Sequence, residues 1–186
     1  MTKILFLDFD GFLNDYSYNN TENFSSNDEY YKQKKSTSNF IFQNLKSNDT
    51  HKLWALSDLD YHKVKLLNQI VHQTGCKIVF STSWRSAGVN NLALYLAIMG
   101  FMYPENCIDC TGFGFNGVRG LQISQWIIDY VNETGEEIRY AILDDEMFDI
   151  KEYHMSEVLF QTDGKVSGLT EDVVENVVEW LNREDK

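Results

Sequence analysis

The segment Lys3 to Phe9, KILFLDF, followed by Asp10 and Gly11, constrains this chain more than any other. A short run that is apolar throughout, rather than alternating, is buried on both faces, the pattern of an interior strand in a parallel sheet. It closes on two carboxylates, Asp8 and Asp10, and a glycine. Acidic groups at the end of a buried strand are what a strand feeding a catalytic loop presents. A D-x-D standing alone is more often a solvated turn, so its meaning depends on what the rest of the chain brings to the same place.

The same transition recurs twice. Lys77 to Ser81 is a second apolar strand that runs into Ser81, Thr82 and Ser83, and Ile138 to Leu143 is a third that runs into Asp144 and Asp145. Glu157 to Gln161 is a candidate fourth strand. Between them the period changes to that of helices. Leu59, Val64, Leu67, Ile70 and Val71 follow Ser57 as a cap and stop at Gly75, a second helix lies near Leu92 to Met99, and a third spans Leu121 to Val131 before Gly135. A last helix, capped by Thr170, carries Val173, Val174, Val177, Val178 and Leu181 on one stripe. Strands alternating with helices predict an α/β fold with a mainly parallel sheet covered on both faces. In such sheets ligands bind at the carboxyl ends of the strands. The length of 186 residues suits one domain over 1–186, with residues 14 to 55, rich in Asn, Ser, Tyr and Lys, as a polar insertion.

Parallel strands would gather Asp8 and Asp10, the hydroxyls of Ser81 and Thr82, and the pair Asp144 and Asp145 at one edge, with Arg119 joining from the side. Three or four carboxylates in one cleft raise one another's pKa unless a cation sits among them. An all-oxygen set with few carboxylates suits Mg²⁺, which also binds substrate phosphate. The carboxylates a metal could use are Asp8, Asp10, Asp144 and Asp145, and the hydroxyls of Ser81 and Thr82 with Arg119 could hold phosphoryl oxygens. Each hydroxyl alone is commonly just a strand-end hydrogen-bonding group, and a lone loop arginine is usually solvated; Lys151 is an alternative cation to Arg119. Trp84 and Arg85 are candidates for substrate contact, although an aromatic after a strand more often packs.

A formal net charge of −12 opposes broad adhesion to nucleic acid or anionic membrane while leaving room for a local basic cleft. No run is long enough to span a bilayer, and the first residues do not resemble a signal peptide. Cys76, Cys107 and Cys110 are odd in number and read as reduced thiols, which makes a cytoplasmic location the default. Cys107 and Cys110 form a C-x-x-C with loop-like flanks, but no second pair stands at a zinc spacing. His51, His62, His72 and His154 share no metal-building spacing, and Gly112, Gly114, Gly117 and Gly120 do not follow G-x-G-x-x-G; the segment Thr111 to Gly120 reads as a flexible rim.

LFLDFDGFLND resembles the first motif of the haloacid dehalogenase (HAD) superfamily, D-x-D-G-x-L, and VFSTSWR resembles its second, an apolar strand ending in Ser or Thr. Arg119 stands where the third motif more often has lysine, and AILDDE resembles the acidic fourth. STSWR, RGLQISQWI and the GLT at Gly168 to Thr170 are also similar to the compact phosphatase-like domains associated with RNA-repair proteins. The resemblance implies a Rossmann-like three-layer sandwich with a minimal or small cap. It implies Asp8 as nucleophile forming an aspartyl-phosphate, Asp10 as the acid and base, Ser81 and Arg119 on the phosphoryl group, and Asp144 holding Mg²⁺ with Asp8 and the Asp10 main-chain carbonyl. Asp145 would ligate the metal or orient one of its waters.

The function expected is hydrolysis of phosphate monoesters, on nucleotides or polynucleotide 3′-phosphate ends, with a small phosphometabolite as the alternative. A catalytically silent binding module of the same fold is a second class. A signalling receiver domain, also an α/β sheet with carboxylates, a hydroxyl, a basic residue and Mg²⁺, has the reverse order of acidic segments and is excluded on that ground. The partner expected is the phosphorylated substrate, with no membrane and no stable protein partner.

Overall fold

The computed structural model describes residues 1–14, 59–165 and 167–184. Five strands form one sheet in the order β3-β2-β1-β4-β5, with every pairing parallel. These are β1 (Thr2–Leu7), β2 (Lys77–Phe80), β3 (Cys107–Cys110), β4 (Ile138–Asp144) and β5 (Leu159–Gln161). Four α-helices of the described residues connect or cover them: α1 (Tyr61–Thr74), α2 (Val89–Ile98), α3 (Arg119–Thr134) and α4 (Glu171–Asn182). No helix of the described residues is long and apolar enough to cross a membrane.

The continuous apolar run of β1 divides by the strand's period of two. Leu5 and Leu7 face one core with Val64, Leu67, Leu92, Leu96 and Val177, which brings α1, α2 and α4 to that side. Ile4 and Phe6 face the other core with Ile123, Trp126 and Ile142, so α3 covers the opposite face. The result is the expected three-layer α/β sandwich around a Rossmann-like sheet.

Several boundaries differ from the sequence expectation for local reasons. Asp60 caps α1, its carboxylate accepting from the His62 N–H at 2.8 Å; Ser57 lies outside the described residues. Gly75, at φ 65°, ends α1 in the left-handed conformation as expected. α3 begins at Arg119, two residues before the expected start, and continues to Thr134. Thr170 is the N-cap position of α4, yet its side chain makes no capping bond, and Glu171 and Asp172 supply negative charge to the first turn instead. The candidate fourth strand is shorter than expected, because Ser156–Val158 is a 3₁₀ turn leading into β5. The C-x-x-C is no loop: it is β3, an edge strand whose register shifts opposite Ile78 and Val79. All but the first residue of the polar insertion at 14 to 55 falls outside the described residues.

Candidate active site

Backbone bonds carry the sheet ladder one residue beyond three of its strands and so fix where the polar side chains start. Asp8 N–H donates to Leu143 O at 2.9 Å, Ser81 N–H to Leu7 O at 2.9 Å and Thr111 N–H to Phe80 O at 2.9 Å. Asp144 is the last residue of β4. Asp8 and Asp144 are therefore delivered side by side on adjacent strands, both buried, and Asp145 follows at once. Carboxylate oxygens of Asp8, Asp144 and Asp145 lie within 4.8 Å of one another.

Arg119 meets this group from α3. Its Nη1 donates to Asp8 Oδ2 at 2.6 Å and reaches the Ser81 carbonyl at 3.3 Å, while Nη2 donates to Asp144 Oδ1 at 3.0 Å. Nη1 also stands 2.8 Å from Asp144 Oδ2, an ion pair without hydrogen-bond alignment, and that oxygen has no hydrogen-bond partner. Among the described residues Arg119 is the cation paired with these carboxylates, whereas Lys151 is exposed on the segment after β4. The start of α3 is held for this purpose by a distant residue. Val118, the N-cap position, offers no side-chain cap, and the Arg119 N–H donates instead to Asp149 Oδ2 at 2.8 Å. A Cβ on Gly120 would lie 2.6 Å from the Asp149 carbonyl oxygen, so only glycine lets α3 approach that segment.

Burial is the main electrostatic force here. It pushes the Asp8 carboxyl above the usual range against the opposing pull of Arg119, Thr82 and the Phe9 N–H. Asp144 is pushed up to about 8 by burial and then by the Asp8 charge, with Arg119 opposing. Asp145 is raised to about 6 by burial, Asp8 and Glu146. Arg119 loses solvation too, but Asp144 and Asp8 outweigh that loss and raise it. One guanidinium therefore leaves the three carboxylates short of positive charge, and one buried oxygen of Asp144 lacks a donor. A hard divalent ion with oxygen ligands fits that deficit.

Asp145 sits in a cradle without side chains. A Cβ on Gly11, which has φ 68°, would lie 2.0 Å from Asp145 Oδ2, and one on Gly164 would lie 2.3 Å from it. Gly11 stands in the D-x-D-G motif; Gly164, on the turn after β5, carries no such sequence signal and reaches the site only through the tertiary fold.

The Asp10 carboxylate stands apart from the three-carboxylate group and has its own donors. Ser83 Oγ donates to Oδ2 at 2.9 Å, the Trp84 indole N–H approaches both oxygens at 3.0 and 3.1 Å, and Asn14 Nδ2 donates to Oδ1 at 3.0 Å. Trp84 thus serves an acidic residue, a role its place after a strand did not distinguish from packing. Thr82 is buried and its hydroxyl bonds Asp8, while the buried Ser81 hydroxyl has no partner. Arg85 turns inward: it donates to the Thr82 carbonyl at 2.5 Å and to Gln122 Oε1 at 2.9 Å, bracing the loop from the second strand to α3.

The remaining candidates lie elsewhere. Cys76, Cys107 and Cys110 are free, and burial holds their thiols up at about 11, 12 and 11, which keeps them protonated. His154 is buried against Tyr140 and the Gly120 carbonyl, and that burial lowers its pKa; His51 lies outside the described residues.

No curated protein and no solved structure is matched by the chain. Residues 4–174, which include all four acidic and polar segments of the site, match the family model described as the HAD domain in Swiss Army Knife RNA repair proteins. With that match over most of its length and the parallel sheet that carries Asp8 beside Asp144, the chain belongs to this family of compact HAD domains.

Proposed function

We propose that this HAD-type hydrolase cleaves phosphate monoesters at Asp8 with Mg²⁺ as cofactor, and that its substrates are nucleotides or polynucleotide 3′-phosphate ends. The observation that carries the proposal is the convergence of Asp8, Asp144 and Asp145 within 4.8 Å, with Arg119 bonded to the first two. Mg²⁺ would be held by Asp8, Asp144 and the Asp10 main-chain carbonyl, with Asp145 beside them. When bound it supplies Lewis-acid neutralisation of the phosphoryl group and of these carboxylates.

The protein's own groups then divide the work. A carboxylate oxygen of Asp8 attacks phosphorus, and the bond from phosphorus to the leaving oxygen breaks while Asp10 gives that oxygen a proton. The Asp10 carboxylate next takes a proton from water; the water oxygen bonds to phosphorus, the Asp8–phosphorus link breaks, and inorganic phosphate leaves. Asp8 and protonated Asp10 are restored, so the cycle balances. Arg119 would neutralise equatorial phosphoryl oxygens, and the unpartnered Ser81 hydroxyl is a donor available beside it, while the Thr82 hydroxyl bonds Asp8. The family's link to RNA repair supports the nucleic-acid end as substrate.

The test is a panel of phosphomonoesters, including nucleoside and oligonucleotide 3′-phosphates and small phosphometabolites, assayed with and without Mg²⁺ for the wild type and Asp8→Asn. Wild-type turnover is expected to require Mg²⁺, and Asp8→Asn to lose it by several orders of magnitude, as for removal of other covalent nucleophiles. Normal turnover by Asp8→Asn would remove Asp8 as nucleophile. Absence of Mg²⁺-dependent turnover across the panel would instead favour a silent binding module.

A further inference from the structure

We infer that Phe113 is a stacking platform for the base of a nucleotide whose phosphate lies at Asp8, so that the site selects a phosphate attached to a nucleoside. The inference rests on the phosphohydrolase proposal for where the phosphate lies, and adds a base subsite to it. Three phenylalanines are exposed among the described residues: Phe113 at 64%, Phe115 at 45% and Phe148 at 65%. All three lie in the two loops at the carboxyl edge of the sheet that meet at Arg119. Phe113 and Phe115 are on the loop from β3 into α3, and Phe148 immediately precedes Asp149, which holds the Arg119 N–H. Exposed phenylalanines brought together on these two loops indicate a surface that contacts a ligand.

Phe113 is also built as a platform. The Arg85 guanidinium lies over its ring, 4.4 Å from the centroid, and the same guanidinium donates to the Thr82 carbonyl and to Gln122. Gln122 in turn donates to the Gly114 carbonyl at 2.8 Å, pinning the backbone next to Phe113. Beyond Gly114, Phe115 and Asn116 hold φ of 59° and 50°, a conformation that non-glycine residues adopt at a cost. The ring thus rests on a fixed cation while most of the residue stays exposed to solvent. Arg85 ties the ring to the Thr82 carbonyl, and Thr82 interacts with the Asp8 carboxyl, so the platform is anchored to the segment that holds the phosphate site.

Charge selects the kind of recognition. A protein with a formal charge of −12 is poorly suited to follow a polyanionic backbone by phosphate contacts. Base stacking needs no net positive charge and is tolerant of sequence, so it suits a terminal or free nucleotide. The shared chemistry is a nucleoside monophosphate group, whether free or at a strand end.

The experiment compares adenosine 3′-monophosphate, an oligonucleotide 3′-phosphate and glycerol phosphate, which has no base. Each is titrated by calorimetry into Asp8→Asn protein with Mg²⁺, with and without Phe113→Ala, and turned over by the otherwise wild-type chain. Phe113→Ala is expected to lower the preference for either nucleotide over glycerol phosphate about fivefold or more, and Phe113→Trp to retain it. The tighter of the two nucleotide ligands identifies the source. If the wild type proves catalytically silent yet Phe113→Ala still lowers this binding preference, the stack stands and the hydrolytic proposal falls. Nucleotides that bind no better than glycerol phosphate, or equal losses on all three ligands, would overturn the stack.

Discussion

At the scale of single residues, the most informative contact is the Trp84 indole N–H on the Asp10 carboxylate at 3.0 and 3.1 Å. An acid–base group must keep its carboxyl aimed at the proton it exchanges, and two further donors, Ser83 and Asn14, leave it little freedom. Trp84 also packs its ring 5.8 Å from that of Phe9, so Trp84→Phe removes the donor while preserving much of the apolar contact. Loss of a hydrogen bond to a charged group is worth about 1.5–3 kcal/mol. Trp84→Phe is therefore expected to slow turnover about tenfold or more on esters with poorly acidic leaving groups, which need a proton, and less on p-nitrophenyl phosphate, which does not. Steady-state rates across leaving groups of graded acidity check this. A uniform loss across the series would assign Trp84 to packing alone.

At the scale of elements, the glycine on the turn after β5 matters as much as any charged residue. A Cβ at Gly164 would meet Asp145 Oδ2 at 2.3 Å and the Gly11 Cα at 2.7 Å. The carboxylate can move aside and the backbone cannot, so Gly164→Ala is expected to displace Asp145 and destabilise the fold by about 1–3 kcal/mol. The Mg²⁺ concentration giving half-maximal activity should rise by about tenfold or more, which a metal titration at fixed substrate measures. An unchanged metal requirement would show that Asp145 has no part in holding the ion. This contact also marks where sequence patterning stops being informative. β1, β2 and β4 were legible because two-sided burial writes long apolar runs ending in polar residues, and Asp8, Ser81, Thr82, Asp144 and Asp145 were legible as those endings. β3, with the sequence CIDC at the sheet edge and a register shift, has neither the length nor the pattern. Asp149 and Gly164 act through backbone approaches between segments distant in the chain, and the indole bond of Trp84 depends on a turn, so no local spacing announces them.

At the scale of the whole molecule, the sheet order puts β1 between β2 and β4, where chain progression reverses direction, and Asp8 and Asp144 end the strands on either side of that reversal. The fold thus concentrates negative charge at a buried point in an already acidic protein, and its stability should record this. Asp144 and Asp145 have folded pKa values near 8 and 6 against an ordinary 3.8, and Asp8 is raised as well. Above pH 3.8 the unfolded chain releases these protons while the folded chain retains them. The folded state therefore binds more protons, and metal-free stability must fall as pH rises from about 4 to about 8. One proton contributes a slope of at most about 1.4 kcal/mol per pH unit. General charge repulsion acts in the same direction, so the diagnostic comparison is Asp144→Asn, which should flatten the metal-free decline between pH 6 and 8. Mg²⁺ should raise Tm more at pH 8 than at pH 5, because at the lower pH protons compete for its ligands. Thermal unfolding of both proteins with EDTA or Mg²⁺ at the two pH values measures each of these. A metal-free Tm indifferent to pH would mean that these carboxyls are not raised on folding, and a Mg²⁺ gain equal at pH 5 and pH 8 that they are not the groups that bind the ion.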